Sequence, residues 1–90
     1  MTGFLQSGRR RDICVLLAGD PMQAQALKTR LSNHYDERID PESFYRALDA
    51  LERRGLVETR TEGIHDSYRL TDDGRDRLDA HVDWLLDSLD

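Results

Sequence analysis

Residues 40–57 read Asp40-Pro41-Glu42-Ser43-Phe44-Tyr45-Arg46-Ala47-Leu48-Asp49-Ala50-Leu51-Glu52-Arg53-Arg54-Gly55-Leu56-Val57, and this stretch decides the fold. Asp40 is a good N-cap residue, and Pro41 stands at the first helical position, where its missing N–H costs nothing. Gly55 suits a left-handed C-cap, so the helix is expected to end at Arg54. Between these signals Phe44, Ala47, Leu48 and Leu51 recur at helical spacing and make one apolar face. At about 100° per residue, Glu42, Arg46, Asp49 and Arg53 fall on the opposite face, with Ser43 and Tyr45 on its shoulders. One face is built for a core, and the other is left for solvent or a partner.

Downstream, Leu56 to Thr61 and Ile64 to Leu70 read as two short strands about a turn at Glu62-Gly63, with Tyr68 and Leu70 alternating. Thr71 caps a final helix whose first turn holds Asp72 and Asp73, where negative charge meets the helix dipole favourably. Upstream, His34 to Ile39 is a polar connection with one apolar anchor, Ile39. A second helix is expected from about Met22 to Asn33, with Met22, Ala24, Ala26, Leu27 and Leu31 as its apolar positions. Gly19-Asp20-Pro21 separates it from a first helix that starts at the N-cap Ser7 and ends at Ala18, Gly19 serving as a left-handed C-cap. Ile13, Leu16 and Leu17, with Cys14 beside them, supply the apolar side of that helix. The order helix, helix, helix, hairpin, helix in 90 residues predicts an α+β, mainly α, winged helix-turn-helix. The second and third helices form the helix-turn-helix and the hairpin is the wing. Residues 1–70 make the winged unit, and residues 71–90 a C-terminal dimerisation helix within the same single domain.

Ser43 to Val57, together with Tyr68-Arg69-Leu70-Thr71-Asp72-Asp73-Gly74-Arg75, resembles the PadR family of transcriptional regulators over roughly residues 11–80. Leu-Glu-x-x-Gly-Leu-Val at the helix end is shared by several winged-helix families. Phe-Tyr-Arg-Ala-Leu before it and Tyr-x-Leu-Thr-x-x-Gly after it make the match more specific. Where the family often has Tyr-Gly-Tyr-Glu-Ile near the start of helix two, this chain has Met22-Gln23-Ala24-Gln25-Ala26-Leu27, so the resemblance stops short of a subfamily. It implies a homodimer that binds double-stranded DNA and regulates transcription, with repression the expected mode.

A recognition helix needs its outward face free for the major groove and its inward face anchored. Arg46 has the fork for guanine O6 and N7, a contact worth ~1–3 kcal/mol of discrimination; its other use is as a solvated arginine paired with a nearby acid. Ser43 and Tyr45 can donate to phosphate and set the register, and Tyr45 also suits shielding of the core. Glu42 can accept from cytosine N4 or simply favour the helix dipole, and Arg53 shares the exposed face. Arg60, His65 and Arg69 are candidate backbone or minor-groove contacts on the wing. Arg9, Arg10 and Arg11 are candidates for flanking phosphates, and Lys28 is a weaker one. Each also reads as an ordinary solvated charge. In the last helix Leu78, Val82, Leu85 and Leu89 stand at heptad spacing, and Trp84 and Leu86 widen the apolar surface. That surface predicts a two-fold homodimer on an inverted-repeat operator; packing against the first helix is its competing use.

The net charge of −5 argues against a general polyanion binder, but the charge is uneven. Residues 1–35 carry a net +3, and residues 71–90 carry −5. A face can be locally basic because fields are screened within about 10 Å at 0.1 M salt. Lys28 is the only lysine, and aspartate far outnumbers glutamate, a composition resembling that of salt-accumulating archaea; GC-rich codon usage is the competing source. The single cysteine, Cys14, forbids an intrachain disulfide and reads as a buried thiol or a redox sensor. No apolar run is long enough to span a bilayer, and the arginine-led N-terminus lacks a cleavage pattern, so a cytoplasmic protein without membrane contact is expected. His34, His65 and His81 are scattered, and no phosphate loop or nucleophile motif is present. An enzyme is not expected, nor is any cofactor. A small-molecule effector has no support beyond Trp84, which reads more simply as an interface tryptophan. The rival class is a winged-helix protein-interaction module without DNA binding, since the charges of the third helix are balanced.

Overall fold

The computed structural model describes residues 8–89, apart from the side chain of Glu62. Its elements are α1 (Gly8–Gly19), β1 (Met22–Gln23), α2 (Ala24–Tyr35), α3 (Pro41–Arg53), β2 (Val57–Glu62), β3 (His65–Leu70) and α4 (Asp72–Leu89). The fold is the winged helix-turn-helix expected from the element order. The N-cap expected at Ser7 lies outside the described residues.

Helix α3 forms where its end signals place it. The Asp40 carboxylate accepts from the Ser43 backbone N–H at 3.0 Å and from the Ser43 hydroxyl at 3.1 Å. These bonds satisfy one of the otherwise unpaired donors of the first turn. Arg54 is the C-cap and Gly55 follows in the left-handed region. Phe44, Ala47, Leu48 and Leu51 are all buried, so the apolar face reaches the core as its spacing requires. Ile13, Cys14 and Leu17 of α1, Leu27 and Leu31 of α2, Ile39, Leu56, Val57 and Leu78 complete that core.

Four expectations shift. Gly19 is the last residue of α1 and not a left-handed cap. Met22 and Gln23 are not helical: they form β1, which pairs with Tyr68 and Ser67 of β3, giving a three-stranded antiparallel sheet ordered β1-β3-β2. A two-residue strand has no period to read, and Pro21 keeps the chain extended just before it. Helix α2 therefore runs two residues later than expected, to Tyr35, where Asp36 adopts a left-handed conformation and closes it through bonds to Asn33 and Ser32 carbonyls. The hairpin turn is Gly63-Ile64, one residue beyond Glu62-Gly63, because Glu62 pairs with His65. Gly63 has φ +65°, the glycine-first pattern of a tight two-residue hairpin turn.

Helix α4 is locked to the winged unit at its start. The Thr71 hydroxyl accepts from the Gly74 N–H at 3.0 Å and donates to the Gly55 carbonyl at 2.6 Å. Gly74 is buried, and a Cβ there would overlap the Leu56 carbonyl oxygen. One turn on, Leu78 enters the core at 5% exposure. Beyond it Val82, Trp84, Leu85, Leu86 and Leu89 are all exposed. The expected seam thus divides: Leu78 is used within the chain, and the rest lies open.

Candidate nucleic-acid interface

Helix α3 stands between two clefts. One, of about 560 Å³, lies between the first turns of α1, the end of α2 and the α3 flank, and includes Arg9, Arg10, Tyr35, Ser43 and Arg46. The other, of about 360 Å³, lies on the wing side and includes Tyr45, Arg46, Glu52 and Tyr68. Arg46 borders both, so it forms the crest of the helix. Its side chain is 72% exposed. The small residues Ala47 and Ala50 keep the first cleft open along α3.

The crest is balanced in charge. Arg46 pairs with Glu42 at 3.1 Å and Arg53 with Asp49 at 2.9 Å, both one helical turn apart. Exposed pairs of this kind are worth ~0–1 kcal/mol, so either arginine exchanges its carboxylate for another anion at little cost. Across the wing, Arg69 pairs with Glu58, the residue directly opposite, at 2.9 Å. The balance arises because acids stand one turn or one rung from each base, which the helical projection shows for α3 but the linear sequence hides for the wing.

The predicted contacts separate into groups. Arg46, Glu42, Arg53 and Tyr45 are exposed on α3. The Tyr45 ring lies nearly perpendicular to that of buried Phe44, with centroids 5.1 Å apart, and is itself about half exposed. Ser43 already donates its hydroxyl to Asp40, and a phosphate would have to compete for it. Strand alternation puts Arg60, His65 and Arg69 together on the outer face of the wing, all exposed. The inner face carries Val57, Thr59, Tyr68 and Leu70, whose exposures are low or intermediate. Arg9 and Arg10 join Arg46 at the first cleft, whereas Arg11 and Lys28, both half-buried, border neither cleft.

Sequence reasoning missed Tyr35 and Asp12. The Tyr35 hydroxyl donates to Asp12 Oδ2 at 2.6 Å, tying the end of α2 to the start of α1 across 23 positions. Burial, then the hydrogen bond and charge of Asp12, push the Tyr35 phenol up to about 12, while Arg9 beside it pulls the other way. No local pattern announces a contact between residues so distant in sequence. Cys14 is buried, and burial pushes its thiol up to about 12. The thiol is therefore neutral near pH 7, as an inert core cysteine is.

A helix with an open, charge-balanced crest over a buried core, flanked by a β-ribbon, defines a winged helix-turn-helix protein. The sequence matches the model of the transcriptional regulator PadR-like family over residues 13–80, and the chain belongs to that family. Among solved structures it is similar to RosR of H. salinarum, with 26% identity over 91% of this chain and 76% of that one, and a TM-score of 0.85. It is also similar to a homodimeric winged helix-turn-helix DNA-binding domain from Mycobacterium bovis, with 32% identity over 93% and 72% of the two chains and a TM-score of 0.72. TA0346 of Thermoplasma acidophilum shares the fold at a TM-score of 0.80, with 23% identity over 97% and 88%. Among curated proteins, none matches the sequence. No described helix is long and apolar enough to cross a membrane.

Proposed function

We propose that this protein is a cytoplasmic, sequence-specific regulator that binds double-stranded DNA as a homodimer and represses by occupying an inverted-repeat operator. The observation that carries the reading is α3: its apolar face is wholly buried while Arg46 crowns an open crest between two clefts. Family membership supplies the regulatory class. The Mycobacterium bovis relative, a homodimeric DNA-binding domain, supports the assembly. In this reading Arg46 reads a base edge in the major groove. Tyr45, Arg53 and the N-terminal arginines fix the register on phosphates, and Arg60, His65 and Arg69 contact the backbone or minor groove. The open residues of α4 join two copies, and Trp84 belongs to that interface. The lysine-poor, aspartate-rich composition and the likeness to RosR of H. salinarum support a host with a salty interior.

The test is selection of bound duplexes from a random library, followed by footprinting at several salt concentrations. The expected result is protection of an inverted repeat with half-sites about one helical turn apart. Arg46→Ala should lose ~1–3 kcal/mol of discrimination at one base position in each half-site.

The balanced ion pairs along α3 favour a second reading, a protein-interaction module. On that reading no duplex is recovered, and Arg46→Ala leaves weak DNA association unchanged while abolishing capture of a protein partner.

A further inference from the structure

The tip of the wing carries an apolar side chain that neither the core nor α4 uses. Ile64 is 93% exposed, the most exposed large apolar side chain among the described residues. It follows Gly63 in the two-residue turn, and Gly63 supplies the positive φ that such a turn requires. Nothing in the turn therefore demands isoleucine, and its exposure forgoes the gain of burial. Gly63, His65 and Asp66 around it are exposed as well, so no described residue covers the tip. One isoleucine offers a small fraction of the roughly 1,000 Å² that a stable protein–protein interface buries. Its partner is therefore a body that other parts of the molecule already hold.

The ribbon is fixed beside α3. The Thr59 hydroxyl donates to Glu52 Oε2 at 2.5 Å, which ties the third residue of β2 to the last turn of α3. From there Arg60, Thr61 and Glu62 carry the strand about 10 Å further to the tip. A helix fills most of a major groove about 12 Å wide, and the minor groove lies across one strand from it. The wing has the length to make that crossing. Arg60 and His65 share its outer face, while Asp66 lies on the inner face and accepts from the Thr61 hydroxyl at 2.8 Å.

We infer that Ile64 is a specificity residue: seated in the minor groove beside the major groove that α3 enters, its side chain meets base edges and selects A·T pairs at the flank of each half-site. This rests on the DNA reading above. Both kinds of pair show acceptors in the minor groove, and G·C adds the guanine N2 amine. An apolar side chain pressed on that amine removes its water and offers no acceptor, which is unfavourable. The contact involves no charge, so it is distinct from those of Arg60, His65 and Arg69.

The experiment is fluorescence titration of a selected operator duplex in three versions, which differ only at the protected pairs flanking the α3 contacts: A·T, G·C and inosine·C. Inosine is guanine without the N2 amine, so its pair looks like G·C in the major groove and like A·T in the minor. Wild type should bind the A·T and inosine·C versions alike, and the G·C version roughly fivefold or more weakly. Ile64→Val keeps a branched apolar side chain and should keep this contrast. Ile64→Asn brings an amide oxygen that can accept from N2, and should remove or invert it. Both should melt as wild type does, because the side chain is exposed. Arg60→Ala should weaken all three versions equally. If wild type binds the G·C and inosine·C versions equally, while still preferring the operator to a shuffled duplex, the inference is refuted and the DNA reading stands. A contrast that persists unchanged in Ile64→Asn belongs to another residue and overturns the assignment. If wild type binds no duplex, both fall together.

Discussion

Asp40 is the residue on which α3 begins, and its charge contributes beyond its shape. The Ser43 backbone N–H, then the Ser43 hydroxyl, hold its carboxyl below the ordinary value. A carboxyl depressed in the folded state stabilises above its unfolded pKa, near 3.9, and that stabilisation is lost as pH falls through the lower folded value. Asp40→Asn keeps an oxygen for the cap but removes the charge. Its melting temperature should therefore lie below wild type at neutral pH and converge on it in acid; a gap independent of pH would mean the charge contributes nothing. Cys14 gives a second residue-scale expectation. With its thiol pushed up to about 12 by burial, a thiol reagent at neutral pH should modify the native protein slowly and the denatured protein at once. Equal rates would place the thiol at the surface and reopen the redox reading. Of the candidate site, the α3 crest was legible because capping and a 3.6-residue period fix which side chains face out. The Tyr35–Asp12 junction was not, because tertiary packing alone brings those positions together.

The join between wing and last helix shows why elements dock as they do. Gly74 lies in the first turn of α4, where a Cβ would overlap the Leu56 carbonyl oxygen and approach Leu70 Cδ1 to 2.7 Å. Alanine is the better helix former by about 1 kcal/mol, which taken alone predicts that Gly74→Ala stabilises. The obstacle is backbone, held by the Thr71 N–H bond to that same carbonyl at 3.0 Å, so it cannot swing aside as a side chain would. Overpacking of this kind costs about 1–3 kcal/mol, occasionally more. The clash should win, and chemical denaturation should give a net loss of stability; a gain would mean that α4 slides freely on the sheet. This glycine stands in the Tyr-x-Leu-Thr-x-x-Gly block, so the sequence marked the position without revealing its reason. The hairpin was legible through strand alternation, but its turn slipped by one. Glu62-Gly63 and Gly63-Ile64 both contain the needed glycine, and only the pairing of Glu62 with His65 separates them. Strand β1 escaped because its two residues are set by an edge of β3 and not by any period of their own.

Over the whole molecule two forces act in opposite directions, and salt changes their balance. Helix α4 is about 27 Å long at 1.5 Å per residue, in a molecule measuring 45 × 29 × 20 Å. Its first two turns are held by Gly74 and Leu78, while Val82, Leu85, Leu86 and Leu89 beyond them are 37–81% exposed. Unpartnered, a helical end of that length is marginal in water, so a second copy would both cover the apolar face and order the helix. Residues 72–87 of the same helix also carry Asp72, Asp73, Asp76, Asp79, Asp83 and Asp87 against only Arg75 and Arg77. Two such helices repel at low salt. Raising salt from 0.1 M to 1 M shortens the screening length from about 10 Å to about 3 Å and weakens that repulsion, while leaving apolar burial intact. Dimerisation measured by sedimentation should therefore tighten with salt. Contacts between arginines and phosphates weaken over the same range. Operator binding by the dimer should then pass through a maximum in salt, not fall throughout. Leu85→Asp tests the link: it should yield a monomer at every salt concentration, with lower helix content by circular dichroism and an intact core. Operator affinity should be lost, while half-site affinity falls steadily as salt rises. A Leu85→Asp protein that stays dimeric would move the interface elsewhere, and wild-type affinity that declines steadily from the lowest salt would show that dimerisation does not limit binding.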